Sequence, residues 1–400
     1  MKFKSSISRI ALTLSIVAVM PLWLAAKSHQ GDQSQPSYVV VNLGTEGGTA
    51  SAANAINNLG WAMGGANLPG DTIEHAALWI HGRKMDLGTL GGPSSSIPWP
   101  AVKNNQGLIV GVSDTSIVDP LGEIWSCAEA FFPTSSGHTC QGFRWEKGAM
   151  SALPTLGGDN GVATGINNQG YAVGWAENTV HDSTCIAPQV LQFEAVEYGT
   201  KLGQIKELPP LAGDLDGAAT AINDNNLVVG ISGICANAIG GATAAHMALW
   251  QNGTPINIGN LGGGFWNTPT SINNQNEVVG FSDLPGDSAA DPNYHAFYWN
   301  RSSGIHDLGT LPGDSLSIAW SISNQGLIVG QSIGPNGSTA VVWHDGVIAS
   351  LNTLVQSGSL TLVYANDIND SGEIVGGASD SVTGKSPAFL AFPANRRNSR

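Results

Sequence analysis

Residues 163–174 read Ala163-Thr164-Gly165-Ile166-Asn167-Asn168-Gln169-Gly170-Tyr171-Ala172-Val173-Gly174. An apolar stretch, a polar turn and a second apolar stretch in twelve residues describe a tight hairpin. Versions of this unit end at Gly64, Gly111, Gly174, Gly230, Gly280, Gly330 and Gly376, with intervals of 47, 63, 56, 50, 50 and 46 residues. That period is close to the roughly 40–50 residues of one propeller blade, and seven lies within the range of blade numbers. Four residues before each of those glycines stands Gly60, Gly107, Gly170, Asn226, Asn276, Gly326 or Gly372. Only Gly and Asn occur there, the residue types that most readily take positive φ. Seven residues before stands Asn57, Asn104, Asn167, Asn223, Asn273, Ser323 or Asn369, read as turn asparagines that bond their own backbone rather than as ligands.

A second motif is an apolar strand ending in Trp79, Trp145, Tyr198, Trp250, Trp299 or Trp343, with a less regular seventh copy at Phe389–Phe392. Aromatics repeated at one strand end are expected to pack between blades. A strand and loop of the type D-L-G-T-L-G-G follows, as at Asp86–Gly92 and Asp307–Gly313. Each unit therefore offers four strands, and the expected fold is an all-β, seven-bladed β-propeller of four-stranded blades. The chain holds Tyr38–Leu43, a fourth strand without a blade, near one end, and Ala388–Phe392, a third strand without a successor, near the other. The N-terminal strand is expected to close the last blade as its outermost strand, which removes an open edge.

The expected organisation is a signal peptide over 1–26, a linker over 27–36, the propeller over 37–393 and a basic tail over 394–400. The first segment has Lys2, Lys4 and Arg9, then an uncharged apolar run from Ile10 to Trp23, then Ala25 and Ala26. This order is that of an exported leader, and the run is shorter than the roughly 20 residues a spanning helix needs. The mature chain is accordingly expected to be secreted, into the medium or a periplasm, with no membrane span. It is also expected to be a monomer. The net charge of −14 would become more negative on loss of the leader, which speaks against nucleic acid as a partner.

Alternating strand direction puts the N-N-Q-G turns on one face and the longer, variable loops on the other. Variation is greatest in Gly111–Gln141, Gly174–Phe193 and Gly230–His246, which hold all four cysteines. In an exported chain these are expected to form two disulfides, with Cys127–Cys140 and Cys185–Cys235 the favoured pairing of three available. Loops on a rigid scaffold are where binding sites tend to sit. Asp159, His181, Asp182 and Asp214 are therefore the candidate binding residues, and His138 is a further unusual side chain there.

The histidines at 75, 246 and 295 fall at one strand position in different blades, and are read as bonding a neighbouring blade rather than a metal. No catalytic residue, metal site or cofactor is identified, since the chain has no H-x-x-x-H, C-x-x-C or phosphate-loop spacing. The aspartates after glycine, Asp71, Asp159, Asp214, Asp287 and Asp314, are read as turn caps, although such loops, including Asp283 and Asp291, can supply oxygens to calcium. Carboxylates on neighbouring blades, Asp159 and Asp214 for example, can also serve a glycoside hydrolase or lyase.

With these residues in view, the chain resembles the extracellular HAF repeat proteins. The likeness rests on His295-Ala296-Phe297-Tyr298-Trp299 followed by Asp307-Leu308-Gly309-Thr310-Leu311, with weaker copies at His75–Trp79 and His246–Trp250. Gln141, Glu194, Thr339 and Pro387 depart from the histidine position. The resemblance implies a repeat fold and export, and carries over no activity or catalytic residue. The expected function is a secreted, non-enzymatic module that binds a carbohydrate or protein through the loops of the second to fourth blades. An extracellular polysaccharide-acting hydrolase or lyase and a structural matrix protein are the alternatives.

Overall fold

A computed structural model of the chain describes residues 37–123, 131–238, 244–288, 293–356 and 358–394. The expected leader, linker, Cys127 and Asp291, and all but the first residue of the tail, lie outside the described residues. The strands form seven sheets, antiparallel except for two short parallel additions, arranged as a seven-bladed propeller. The first blade shows the plan, running from the axis outwards through Ser51–Ile56, Ala62–Asn67, Glu74–Ile80 and Arg83–Asp86. Gly64 faces the backbone of Ala52, whose carbonyl oxygen lies 1.9 Å from where a Cβ would sit. The same approach recurs at Gly111, Gly174, Gly230, Gly280, Gly330 and Gly376, within 1.9–2.2 Å, which is why every unit ends its motif in glycine.

Ring closure is as the sequence predicts. Tyr38–Gly44 pairs antiparallel with Ala388–Pro393 as a strand of the last blade, whose inner strands are Leu360–Ile368 and Ile374–Asp380. Val355–Gln356 adds a short parallel strand outside it, which no repeat signal announces.

The second blade departs from the pattern. Its innermost strand is Gly91–Ser96, while Ala101–Val102 joins the innermost strand of the third blade in parallel. Between them Ile97-Pro98-Trp99-Pro100 interrupts the repeat, and its two prolines cannot donate to a ladder.

The N-N-Q-G asparagines do more than cap turns. Asn57 Oδ1 accepts the N–H groups of Leu59 and Trp61, as expected, while its Nδ2 donates to the carbonyl of Asn104 in the next blade. Asn104, Asn167, Asn223, Asn273 and Asn369 donate likewise to Asn167, Asn223, Asn273, Ser323 and Asn57. One position outward, the N–H groups of Asn58, Asn105, Asn168, Asp224, Asn274, Asn324 and Asp370 each donate to the side-chain oxygen of the next blade at 2.8–2.9 Å, closing a full circle. The repeated turn is thus also the latch between blades.

The strand-end aromatics are buried as predicted. Trp79, Trp250 and Trp343 donate their indole N–H to carbonyls of the preceding blade or the link leaving it, Leu43, Pro209 and Leu308.

Candidate functional site

The expected Cys185–Cys235 disulfide is present, with Cα atoms 4.6 Å apart, and joins the loops of the third and fourth blades. Cys140 is also disulfide-bonded; the other half of its expected pair, Cys127, lies outside the described residues.

The sequence-selected loop residues do not form one site. Asp159 borders Asp119, whose charge adds to burial in raising its carboxyl. Beneath it, Glu177 is pushed up to about 7 by burial and accepts the N–H groups of Asp159 and Asn160. Asp182 belongs to another group. It faces Asp216, which burial and then Asp182 itself push up to about 8, and Glu194, which burial and the charges of Glu207, Asp216 and Asp182 push up to about 9. Asp182 remains the ionised member; burial opposes this, but bonds from the Thr184 amide and from Asp216 outweigh it. Asp214 is engaged elsewhere, accepting from Ser232 Oγ at 2.6 Å and bonding His246 Nδ1 at 2.9 Å. His181 is exposed at the end of Ala172–His181, and His138 bonds the carbonyl of Ser136.

The other aspartates, expected to cap their own turns, instead accept carboxylate bonds from distant residues. Asp71 accepts the Thr49 N–H, Asp314 accepts from Ser332, and Asp287 accepts the Gly264 N–H beside Asp283. The histidines need a correction. His75 and His295 bond Asp86 and Asp307 of their own blade, because the third-strand histidine stands beside the end of the outer strand that pairs with it. His75 also reaches the next blade, at the Pro93 carbonyl. Among the described residues no three His, Cys, Asp or Glu side chains converge as a metal-binding group.

The repeat is broken most clearly at the axis. In each inner strand except the second blade's, one residue sits in a bulge three places before the turn asparagine or serine. In the third, fourth and fifth blades it is Thr164, Thr220 or Thr270, each donating to the next blade's carbonyl. In the sixth, seventh and first blades it is Trp320, Asn366 and Asn54. These three, with Gln331, Tyr364, Ala52, Pro98 and Pro100, line a cup of about 310 Å³, at the small end of the roughly 300–1,000 Å³ of small-molecule sites.

Trp99 lies across the axis beside this cup. Its indole N–H donates to the Thr270 carbonyl in the fifth blade at 3.2 Å, and its ring meets Trp320 edge-on at 6.0 Å. Asn366 Nδ2 donates to Asn54 Oδ1 at 2.7 Å, and Asn54 Nδ2 to the Ile97 carbonyl at 2.9 Å, which fixes both amides. The buried Trp320 N–H has no hydrogen-bond partner among the described residues, a state that normally calls for an explanation.

Two glycines make the room. The second strand carries Val112, Trp175, Ile231 or Phe281 after its conserved-pattern glycine in blades two to five, but Gly65 in the first and Gly377 in the seventh. At Gly377 the ring of Tyr364 lies 2.3 Å from where a Cβ would be, and at Gly65 the carboxylate oxygen of Glu74 lies 2.0 Å away.

The opposite mouth, on the N-N-Q-G face, is a smaller hollow of about 130 Å³ lined by the asparagine ring and Lys103. Lys103 replaces the isoleucine of the other six motifs. Its ammonium reaches the fully buried Asp367 and the Ile368 carbonyl. Asp367 also accepts from Ser321 Oγ at 2.5 Å and the Ile56 N–H at 2.6 Å. Burial pushes its carboxyl up, and Lys103 and these donors pull it back. The outer grooves, about 550 Å³ between the fourth and fifth blades and about 190 Å³ between the third and fourth, recur with the architecture.

The axial side chains were legible as departures in the variable positions of A-x-x-I-N, where Asn54, Trp320 and Asn366 stand against three threonines. The loop cysteines drew the sequence reading outwards instead.

Residues 212–388 match the family described as "Protein of unknown function (DUF3466)". No curated protein matches the chain. Among solved structures, the chain is similar to an acylaminoacyl peptidase of Pyrococcus horikoshii, at 8% identity and a TM-score of 0.48, over 85% of this chain and 51% of that one. It is also similar to a Trypanosoma rangeli sialidase, at 8% identity and a TM-score of 0.37, over 79% and 57%. A dipeptidyl peptidase 4 of Porphyromonas gingivalis matches at 8% identity and a TM-score of 0.33, over 82% and 44%. The chain spans about half the length of these proteins, and likenesses of this degree carry no argument about activity.

Proposed function

We propose that the protein is an exported carbohydrate-binding module and that its site is the axial cup of the sixth, seventh, first and second blades. The observation that supports this reading is the lining itself. Two aromatic rings, Trp320 and Tyr364, and three amides, Asn54, Gln331 and Asn366, form a concave surface without a formal charge. Aromatic faces stack on the apolar side of a sugar ring, and fixed amides donate to and accept from its hydroxyls. These groups stand where the repeat breaks, and local departures from an otherwise consistent pattern are expected at functional sites.

Export is part of the proposal. It is consistent with the Cys185–Cys235 disulfide, since disulfides persist in oxidising compartments, and with the absence among the described residues of any helix long and apolar enough to cross a membrane. Kinship with the HAF repeat proteins, on the strands at His75, His246 and His295, belongs to the same proposal. The hydrolase or lyase alternative would draw on the Asp159 and Asp182 groups, which lie away from the cup; the cup lining holds no carboxylate pair.

The test is a glycan-array screen of the mature protein beside reducing-end release assays on the same polysaccharides. Saturable binding, lost at least tenfold in Trp320→Ala and in Asn366→Ala and without product, is expected. Product release, or binding that both variants retain, would overturn the reading.

A further inference from the structure

Two departures from the repeat, Tyr364 in the cup lining and Glu74 outside it, are coupled through their charges. Glu74 begins the third strand of the first blade, where the other blades carry Cys140, Phe193, Ala245, Tyr294, Ser338 and Ser386. Tyr364 lies in the innermost strand of the seventh blade. Each fills the void of a glycine, at Gly65 and Gly377. Gly65 pairs with Ala52 on one side and Ala76 on the other, and directly paired residues present their side chains on one face. Glu74 is therefore folded onto the face that carries Ala52, a wall of the cup. Its charge reaches the cup: after burial, Glu74 is what raises the Tyr364 phenol.

From these placements we infer that Glu74 is a specificity-determining residue, which makes the cup select neutral sugars over sugars that carry a carboxylate. The inference rests on the reading of the cup as a saccharide site. The cup lining has no cation to receive an anionic sugar. A carboxylate whose charge is felt at Tyr364 also repels a carboxylate brought into the cup, in surroundings that screen charge less than bulk water does. Burial pushes Glu74 up to about 7 against a hydrogen bond with Ser96 of the second blade, and its charge acts on the Tyr364 phenol of the seventh. Selection should therefore strengthen as pH rises through neutrality, while a uronate stays ionised throughout.

The experiment titrates the wild-type protein and Glu74→Gln with a neutral oligosaccharide from the array and with its counterpart bearing a uronic acid at the same position, at pH 6.0 and pH 8.5. In the wild type, the preference for the neutral ligand is expected to be about tenfold at pH 8.5 and to shrink to within about twofold at pH 6.0, where Glu74 is mostly protonated. In Glu74→Gln it should fall to within about twofold at both pH values, with neutral-ligand binding retained. An unchanged preference in Glu74→Gln overturns the inference and leaves the binding reading standing. Should that variant fail to fold, a wild-type preference constant between the two pH values overturns it equally. If the wild type binds no neutral saccharide, the binding reading itself fails and the inference falls with it.

Discussion

The inter-blade latch is complete on one ring and broken at a single point on the other. Ser323 has no amide to donate, so among the described residues the Asn369 carbonyl takes only the turn bond from Gly372, whereas the Asn57 carbonyl takes both its turn bond from Gly60 and the Asn369 amide at 3.0 Å. A carbonyl oxygen has two lone pairs and can accept both. Ser323 is also a poorer turn cap: the Gln325 and Leu327 N–H groups approach its hydroxyl at 3.3 and 3.2 Å, against 3.0 and 2.9 Å for the corresponding groups on Asn273. Ser323→Asn should therefore restore the seventh latch and tighten the cap. One neutral hydrogen bond in a buried setting contributes about 1 kcal/mol. For a domain of this size, with an unfolding entropy of about 2 cal/mol/K per residue, that amounts to a rise in Tm of about 1–2 °C. Urea unfolding is the more sensitive assay, read as a shift in midpoint at constant slope. The mirror variant, Asn223→Ser, should lose about 1–2 kcal/mol, since it removes the donors to the Asn273 carbonyl and Asn276 Oδ1. A Ser323→Asn protein no more stable than wild type, with an Asn223→Ser protein that loses nothing, would refute the latch.

Four further outcomes are expected. Deleting Tyr38–Gly44 exposes the edge of Ala388–Pro393 and should lower the thermal midpoint sharply; an unchanged melt would contradict the closure. Lys103→Met leaves the buried Asp367 without its cation and should cost about 3 kcal/mol, much of it recovered by the double variant with Asp367→Asn, as a double-mutant cycle by urea unfolding would measure. Replacing Cys185 and Cys235 by alanine opens a loop of 50 residues and should lower stability by about 4 kcal/mol on the loop-entropy estimate. The buried carboxyls set the pH dependence. Glu177, Asp216 and Glu194, raised to about 7, 8 and 9, hold protons in the folded state that the unfolded chain has lost. Stability should therefore fall as pH rises from about 4 to about 9, and calorimetry across that range should show a flatter profile for Asp216→Asn with Glu194→Gln.

The architecture was readable because its determinants are local and repeated seven times. The glycine ending each motif is required by the close approach of the neighbouring strand, and the turn positions by positive φ, so both survive in every copy. Ring closure was legible from what each end of the chain lacks. The inter-blade amide donation was not, since an asparagine that caps its own turn and one that also reaches a neighbour look alike in sequence. The Ile97–Pro100 interruption was visible as extra length, but its consequence depends on Trp99 meeting Thr270 and Trp320, about 170 and 220 residues on. The candidate site was hidden for the same reason. Asn54, Trp320 and Tyr364 are scattered single departures, and only the closed ring brings them to one cup.

The most direct measurement is a crystal structure of the mature protein soaked with the strongest neutral glycan from the array. The account predicts a sugar ring stacked on Trp320 or Tyr364, with hydroxyls bonded to the Asn54, Gln331 and Asn366 amides. A sugar bound on the loops around Asp159, Asp182 and the Cys185–Cys235 disulfide, with the axial cup occupied only by solvent, would contradict it.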